Sequence, residues 1–249
     1  MNNIKALGFD LFNTLISAEP KALEEAIGRL IRSFQQNGLE IELETFQPLY
    51  REAALGFFEE ARRSGKETHN RFWISAALQR LGYDIPPDDT RIAQAVEKYF
   101  TAFLDYCRLI PGTLETLRTL KANYPLGLLS NFTDDPAAMA IIDHMGLTPF
   151  FDVVLISGGL GYRKPHPLVF DKLVEGLNVA KDQIMFVGDD PDSDVGGAHQ
   201  AGLQPVWTTC VRDQNIESVA GPIPLPEEFP DSDVPRISNW QDLLDLLEL

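Results

Sequence analysis

Four short stretches, far apart in the chain, end apolar runs with side chains that could do chemistry. They are Asp10 in ALGFD, Ser130 and Asn131 in LGLLSN, Lys164 in GYRKPHP, and Asp189, Asp190 and Asp194 in VGDDPDSDV. Each alone has an ordinary explanation. Asp10 could open a turn, Ser130 could cap a helix, Lys164 could be a surface charge, and the Asp189–Asp194 acids could sit at a helix N-terminus. Together they form a coherent set. Clustered carboxylates repel one another unless a divalent cation lies among them, and an oxygen-only donor set without His or Cys suits a hard ion, Mg²⁺. Asp10 could ligate that ion and also act as a carboxylate nucleophile that forms an aspartyl ester. Ser130 and nearby backbone amides could hydrogen-bond phosphoryl oxygens, and Lys164 could stabilise developing negative charge. Phosphoryl transfer is mostly positioning plus charge stabilisation, and this set offers both.

Positioning them requires strands that end together. The stretch Ile4 to Ser17, IKALGFDLFNTLIS, starts as a buried strand and turns at Asn13-Thr14. Four amphipathic helical patterns follow without a strand between them, over 20–36, 44–63, 70–81 and 88–105. In the first, Leu23, Ala26, Ile27, Leu30, Ile31 and Phe34 share one face. From Ile110 the rhythm alternates. Strands are expected at Leu126–Leu129, Phe151–Ile156, Ile184–Val187 and Pro205–Thr208. Helices are expected at Thr113–Lys121, 135–145, His166–Leu177, Asp192–Ala201 and the C-terminal NWQDLLDLLEL, with a loop over Ser157–Gly161. That alternation predicts an α/β fold, a Rossmann-like doubly wound parallel sheet, with ligands bound beyond the carboxyl ends of its strands. The domains expected are a core of residues 1–16 and 106–249 and an inserted helical unit of residues 17–105. Residues 212–236, rich in Pro, Glu and Asp, read as a solvated surface excursion.

Composition narrows the function classes. The chain has 249 residues, 44% hydrophobic and 23% charged, enough for a real core. It has no apolar run long enough to span a membrane and no signal-peptide pattern at its start. Cys107 and Cys210 form no metal or disulfide framework, so a cytoplasmic location is expected. A formal net charge of −16 argues against nucleic-acid and anionic-membrane partners. A small anionic substrate remains compatible, because a metal ion and a lysine can reverse the field locally. Oligomeric state stays open between monomer and homodimer.

The pattern hhhhDxxxT in GFDLFNTL, then LLSN, then the Lys of GYRKPHP, then VGDDPDSDVGGAHQAGL, resembles the four motifs of the haloacid dehalogenase-like (HAD) superfamily. The resemblance covers nearly the whole chain and is specific in order and spacing. It implies a Rossmann-like core with the helical cap of the C1 type found in subfamily I. It implies that Asp10 is the nucleophile, that Thr14 orients it, and that Ser130, Asn131 and Lys164 hold the transferred group. It also implies a Mg²⁺ site of Asp10, the backbone carbonyl of Phe12 and Asp189, with Asp194 or Asp190 in support.

One residue departs from the family's phosphatases. Two positions after the nucleophile they normally carry a second Asp, the general acid and base for the leaving alcohol. Here that position is Phe12. The dehalogenase branch also lacks that Asp, since halide leaves as an anion without a proton. The fourth motif points the other way, because dehalogenases of this family need no metal and replace the acids that this chain keeps. Three readings follow: a Mg²⁺-dependent phosphohydrolase for a small phosphorylated metabolite, a 2-haloacid dehalogenase-type hydrolase, or a weak or silent member that binds a phosphorylated ligand or a protein partner. Within the helical unit, Arg51, His69 and Arg71 could reach the substrate, Arg71 foremost. Phe57, Phe58, Trp73 and Phe100 fall at helical core spacing and read as packing. His144, His166 and His199 receive no catalytic role.

Overall fold

The computed structural model describes residues 3–219 and 233–249. Its main sheet is built from β1 (Ala6–Phe9), β4 (Leu126–Ser130), β5 (Val153–Ile156), β6 (Ile184–Gly188), β7 (Gln204–Thr208) and β8 (Arg236–Ile237). It is wholly parallel, in the order β5-β4-β1-β6-β7-β8. β1, β4 and β6 are buried along their whole length. That is why they read as unbroken apolar runs rather than as alternating ones. β1 is the centre. The chain leaves it toward β4 and β5 on one side, then returns to β6 on the other, so the order reverses beside β1 and opens a crevice at its carboxyl end.

Between β1 and β4 lies the helical block: α1 (Lys21–Gln36), α2 (Leu43–Ser64), α3 (Arg71–Arg80) and α4 (Thr90–Tyr106). Asp89 caps α4 through its side chain, and Gly65 ends α2 at φ +71°, a backbone shape that favours glycine. On α1 the inward face is turned slightly from the expected one: Ala22 is buried and Leu23 is 37% exposed. The block joins the sheet through a two-stranded antiparallel ribbon, β2 (Ile16–Ala18) with β3 (Cys107–Leu109). Its first strand crosses the domain boundary read from the sequence at 16/17, its second begins just past the one at 105/106, and neither strand was expected.

The remaining helices cover the sheet: α5 (Thr113–Lys121), α6 (Asp135–His144), α7 (Ser157–Leu160), α8 (Pro167–Leu177), α9 (Gly197–Ala201), α10 (Cys210–Asp213) and α11 (Trp240–Leu246). One core runs from β1 and β4 through α5, α6 and α11 into the helical block. A second core, built on Phe170, Leu173, Phe186 and Ala198, seals the opposite face under α8 and α9. α7 replaces the loop expected over Ser157–Gly161, and the helix expected from Asp192 is a wide π-type turn, Pro191–Gly196, before α9. The acidic, proline-rich excursion expected over 212–236 falls mainly on 220–232, outside the described residues. Among the described residues no helix is long and apolar enough to cross a membrane.

Candidate active site

The side chains that the sequence scatters meet where β1, β4 and β6 end. Asp10 follows β1 directly, and its N–H donates to Val187 O at 2.9 Å, which fixes it against the end of β6. Lys164 is only 3% exposed. Its Nζ donates to Asp10 Oδ1 at 2.6 Å and to Leu129 O at 2.9 Å, and lies 2.7 Å from Asp194 Oδ1. Burial works to lower the Lys164 pKa, but the Asp10 and Asp194 carboxylates outweigh it and hold the ammonium above its usual range. Lys164 is therefore a fixed cation.

Asn131 explains how a loop residue is held so accurately. Its Oδ1 accepts from Lys164 N–H at 2.8 Å, and its Nδ2 donates to Lys164 O at 3.1 Å. The amide expected to bind substrate is a brace on the lysine backbone. Ser130 is buried at the end of β4 and lines the same cleft. Thr14 is fully buried, and its Oγ1 has no hydrogen-bond partner among the described residues, so it makes no hydrogen bond to the Asp10 carboxylate that it was expected to orient.

On the acidic side, Asp10, Asp189 and Asp194 each place a carboxylate oxygen within 4.8 Å of the others. Asp190 is not part of this triangle. Its Oδ1 accepts from Asp192 N–H and Ser193 N–H, both at 2.9 Å, and closes the turn that aims Asp194 inward. Its own N–H donates to Asp194 Oδ2 at 3.0 Å. Gly188 is required here, because a Cβ would overlap the Asp194 carboxylate. The triangle fits a hard divalent cation in donor type and by one orphan. Asp194 Oδ1 is buried and has no aligned hydrogen-bond donor among the described residues, although Lys164 Nζ is close enough for an ion pair.

Without a cation this arrangement carries an electrostatic penalty. Burial, then Asp10 and Asp194, push the Asp189 carboxyl well above the usual carboxylate range. Burial first, with Asp10 and Asp190 adding to it and Lys164 opposing, pushes Asp194 up to about 7. A carboxyl raised in the folded state binds protons there that the unfolded chain releases. Its stabilising contribution is present below about pH 4 and is lost as pH rises through about 7. In a chelator, the melting temperature of the wild type should therefore fall relative to Asp194→Asn as pH rises from 5 to 8. Excess Mg²⁺ should flatten that difference, and parallel curves in both media would refute the penalty.

The helical block closes over this floor along the segment between α2 and α3. Glu67 N–H donates to Gly161 O at 3.0 Å, and Arg163 N–H donates to Gly65 O at 3.0 Å. The Glu67 carboxylate accepts from Ser157 Oγ at 2.6 Å and lies 3.4 Å from Arg163 Nη1. His69 Nε2 meets Asp134 Oδ2 at 3.0 Å. Arg71 does not reach the site. It is exposed, and its guanidinium lies over the Phe72 ring at 5.1 Å. Arg51, His144 and His199 are exposed as well. His166 caps α8 by accepting from Leu168 N–H and packs under Gly65. The cleft measures about 1400 Å³, and Phe12, Phe58, Trp73 and Phe100 line it together with Asn70. Three of these, Phe58, Trp73 and Phe100, had read as packing only.

Residues 4–202 match the family model of the haloacid dehalogenase-like hydrolases. The glyceraldehyde 3-phosphate phosphatase of Methanopyrus kandleri is 30% identical over 247 residues, 98% of this chain and 97% of that one. This chain is a haloacid dehalogenase-like hydrolase. The hydrolase also shares its fold with the 2-haloacid dehalogenase of Pseudomonas syringae pv. tomato DC3000, at TM-score 0.68 and 23% identity over 98% of each chain. It shares it too with the HAD-hydrolase YfnB of Bacillus subtilis, solved with magnesium bound, at TM-score 0.64 and 20% identity over 100% of each chain.

Proposed function

We propose that this hydrolase is a Mg²⁺-dependent phosphohydrolase of small phosphorylated metabolites. The observation that carries the reading is the buried triangle of Asp10, Asp189 and Asp194, balanced among the described residues by Lys164 alone. Three carboxylates against one ammonium leave an excess of negative charge that a divalent cation would offset and that a haloacid would not. The phosphatase name of the Methanopyrus kandleri relative supports the same class. Asp10, Asp189 and Asp194 would hold Mg²⁺, with the backbone carbonyl of Phe12 as a further ligand, and the ion would supply charge to the phosphoryl oxygens. The helices α1–α4 would then serve as the cap of the site.

The chain's own groups do the rest. One Asp10 oxygen attacks phosphorus, the P–O bond to the leaving group breaks, and an aspartyl phosphate results. Water then attacks that phosphorus and restores the carboxylate. Lys164 stays protonated throughout and stabilises the charge that gathers on the transferred group. Ser130 at the end of β4 donates to a phosphoryl oxygen. Glu67 is tied to Ser157, Thr68 and Arg163 and joins cap to core, so it does not replace the acid missing at Phe12.

A second reading is favoured by the apolar wall beside the nucleophile. Phe12 stacks on Phe132 with ring centroids 5.4 Å apart and planes 5° from parallel, a surface suited to a carbon–halogen substrate. One experiment separates the two readings: hydrolysis of p-nitrophenyl phosphate and of 2-chloropropionate, with and without Mg²⁺. The expected result is Mg²⁺-dependent phosphate release that falls by at least about 10⁴-fold in Asp10→Asn. Chloride release without metal would establish the dehalogenase, and metal binding without either turnover would leave a ligand-binding member.

A further inference from the structure

The turn that carries Asp194 is shaped largely from within. Asp190 Oδ1 accepts from the N–H groups of Asp192 and Ser193, and Asp190 O accepts from Asp194 N–H at 3.0 Å and from Val195 N–H at 3.2 Å. These bonds give the turn its form, but they do not set it against the sheet. A side chain from the neighbouring strand does. Trp207 on β7 stands in register with Gly188 at the end of β6 and is 8% exposed. Its Nε1–H donates to Asp189 O at 2.9 Å. The indole is itself held. The guanidinium carbons of Arg212 and Arg236 lie 5.2 and 5.9 Å from its ring centroid, and Arg236 Nε donates to Thr209 Oγ1 at 2.9 Å.

The carbonyl that Trp207 holds and the N–H that Asp194 holds belong to one peptide unit, the link from Asp189 to Asp190. At its other end, Asp190 N–H donates to Asp194 Oδ2 at 3.0 Å. A peptide unit is planar and stiff, so bonds at both ends fix how it is turned about the chain. If it turned, Asp189 would shift with it, and Asp194 Oδ2 would lose its donor. Held as it is, Oδ2 is occupied, and Oδ1 is left for Lys164 and for a cation. One indole N–H therefore bears on two of the three carboxylates of the triangle. Removing it would also take from the Asp189 carbonyl the donor it has now.

We propose that Trp207 is a positioning residue of the cation site: its N–H pins the Asp189–Asp190 peptide and so keeps Asp189 and Asp194 set for a divalent ion before the ion arrives. Its effect on binding rests on the Mg²⁺ reading above, whereas the pinned peptide does not. Partners that orient metal ligands without touching the metal are typically worth about 10–100-fold in affinity. Trp207→Phe removes the N–H and keeps an aromatic ring beside the two arginines, so it isolates that bond.

The test has a metal-bound and a metal-free arm on the purified full chain. Calorimetric titration with Mg²⁺ should give a Kd about 10–100-fold higher for Trp207→Phe than for the wild type, with kcat for p-nitrophenyl phosphate at saturating Mg²⁺ within about threefold. In chelator, the Asp190 amide should exchange its hydrogen at least about tenfold faster in the variant, while the amides of β1 keep their wild-type protection. Equal Mg²⁺ affinity, or an Asp190 amide protected equally in both proteins, overturns the proposal. Faster exchange at Asp190 and β1 alike is a general loss of stability; it assigns Trp207 a structural role only and overturns the proposal too. A wild type that binds no Mg²⁺ but shows the split between Asp190 and β1 leaves the pinned peptide standing and removes the Mg²⁺ reading. Trp73 and Trp240 are the chain's other tryptophans, so a chain with Trp73→Phe and Trp240→Phe reads Trp207 in place, even if Trp207→Phe does not fold. Its emission should change with Mg²⁺ along the calorimetric curve, and emission blind to bound Mg²⁺ overturns the proposal.

Discussion

Lys164→Met is expected to be the most destabilising single change at the site, costing about 3–5 kcal/mol in the metal-free protein. The reason is the company that the ammonium keeps. It is 3% exposed, within 2.7 Å of both Asp10 Oδ1 and Asp194 Oδ1, and it also donates to Leu129 O. Methionine fills much of the stem's volume but supplies no charge and no donor. Three carboxylates would then face one another with no cation between them, and the Leu129 carbonyl would lose its donor. Removing one partner of a buried pair leaves the desolvation cost of the other unopposed. For a chain of this size the loss corresponds to a fall in melting temperature of roughly 6–20 °C. Excess Mg²⁺ should restore part of it, because the ion takes over the neutralising role, while turnover stays abolished because the ion does not replace the lysine at the transferred group. Thermal melts with and without Mg²⁺ check this. An unchanged melting temperature in chelator would show that the lysine is not balancing the triangle.

The parts of this site that were legible in the sequence share one feature: their position is dictated by short-range pattern. Asp10, Ser130 and Asp189 stand at the ends of fully buried strands, and a parallel sheet brings such ends together whatever else the chain does. The helices α1–α4 were legible for a similar reason, since each shows an apolar face over several turns. What escaped lies where three-dimensional contact overrides pattern. The ribbon strands Ile16–Ala18 and Cys107–Leu109 are three residues each, too short for a period, and exist only by pairing with each other. Asn131 reads as a ligand for substrate, and only the fold shows both ends of its amide on the backbone of Lys164, 33 residues away. Arg71 looks suited to an anion by charge, yet it faces outward while its neighbour Asn70 faces the cleft. Trp73 and Phe100 keep helical core spacing and are buried as that spacing predicts. Burial beside a cleft, however, is also what a substrate wall requires, and periodicity cannot separate the two.

Phe12→Asp is expected to raise kcat for alkyl phosphates by about 10²–10⁴-fold while changing p-nitrophenyl phosphate turnover little. An alkoxide is a poor leaving group and gains from a proton delivered as the P–O bond breaks. Nitrophenolate is stable as an anion and gains almost nothing. Phe12 follows Asp10 by two residues, lines the cleft and is half-buried, so a carboxyl there would face the same space as the substrate's leaving oxygen. The substitution has a structural cost. Phe12 stacks on Phe132 and meets Phe103 edge-on with centroids 6.4 Å apart, and losing that ring is expected to cost roughly 1.5–3 kcal/mol. Assays should therefore be run well below the melting point, beside Phe12→Leu, which removes the ring without adding an acid. A gain confined to Phe12→Asp, and to substrates with basic leaving groups, assigns the effect to proton transfer. A comparable gain in Phe12→Leu would mean that relief of crowding, not acid catalysis, was responsible. No gain in either would show that the natural substrate's leaving group departs without a proton from this position.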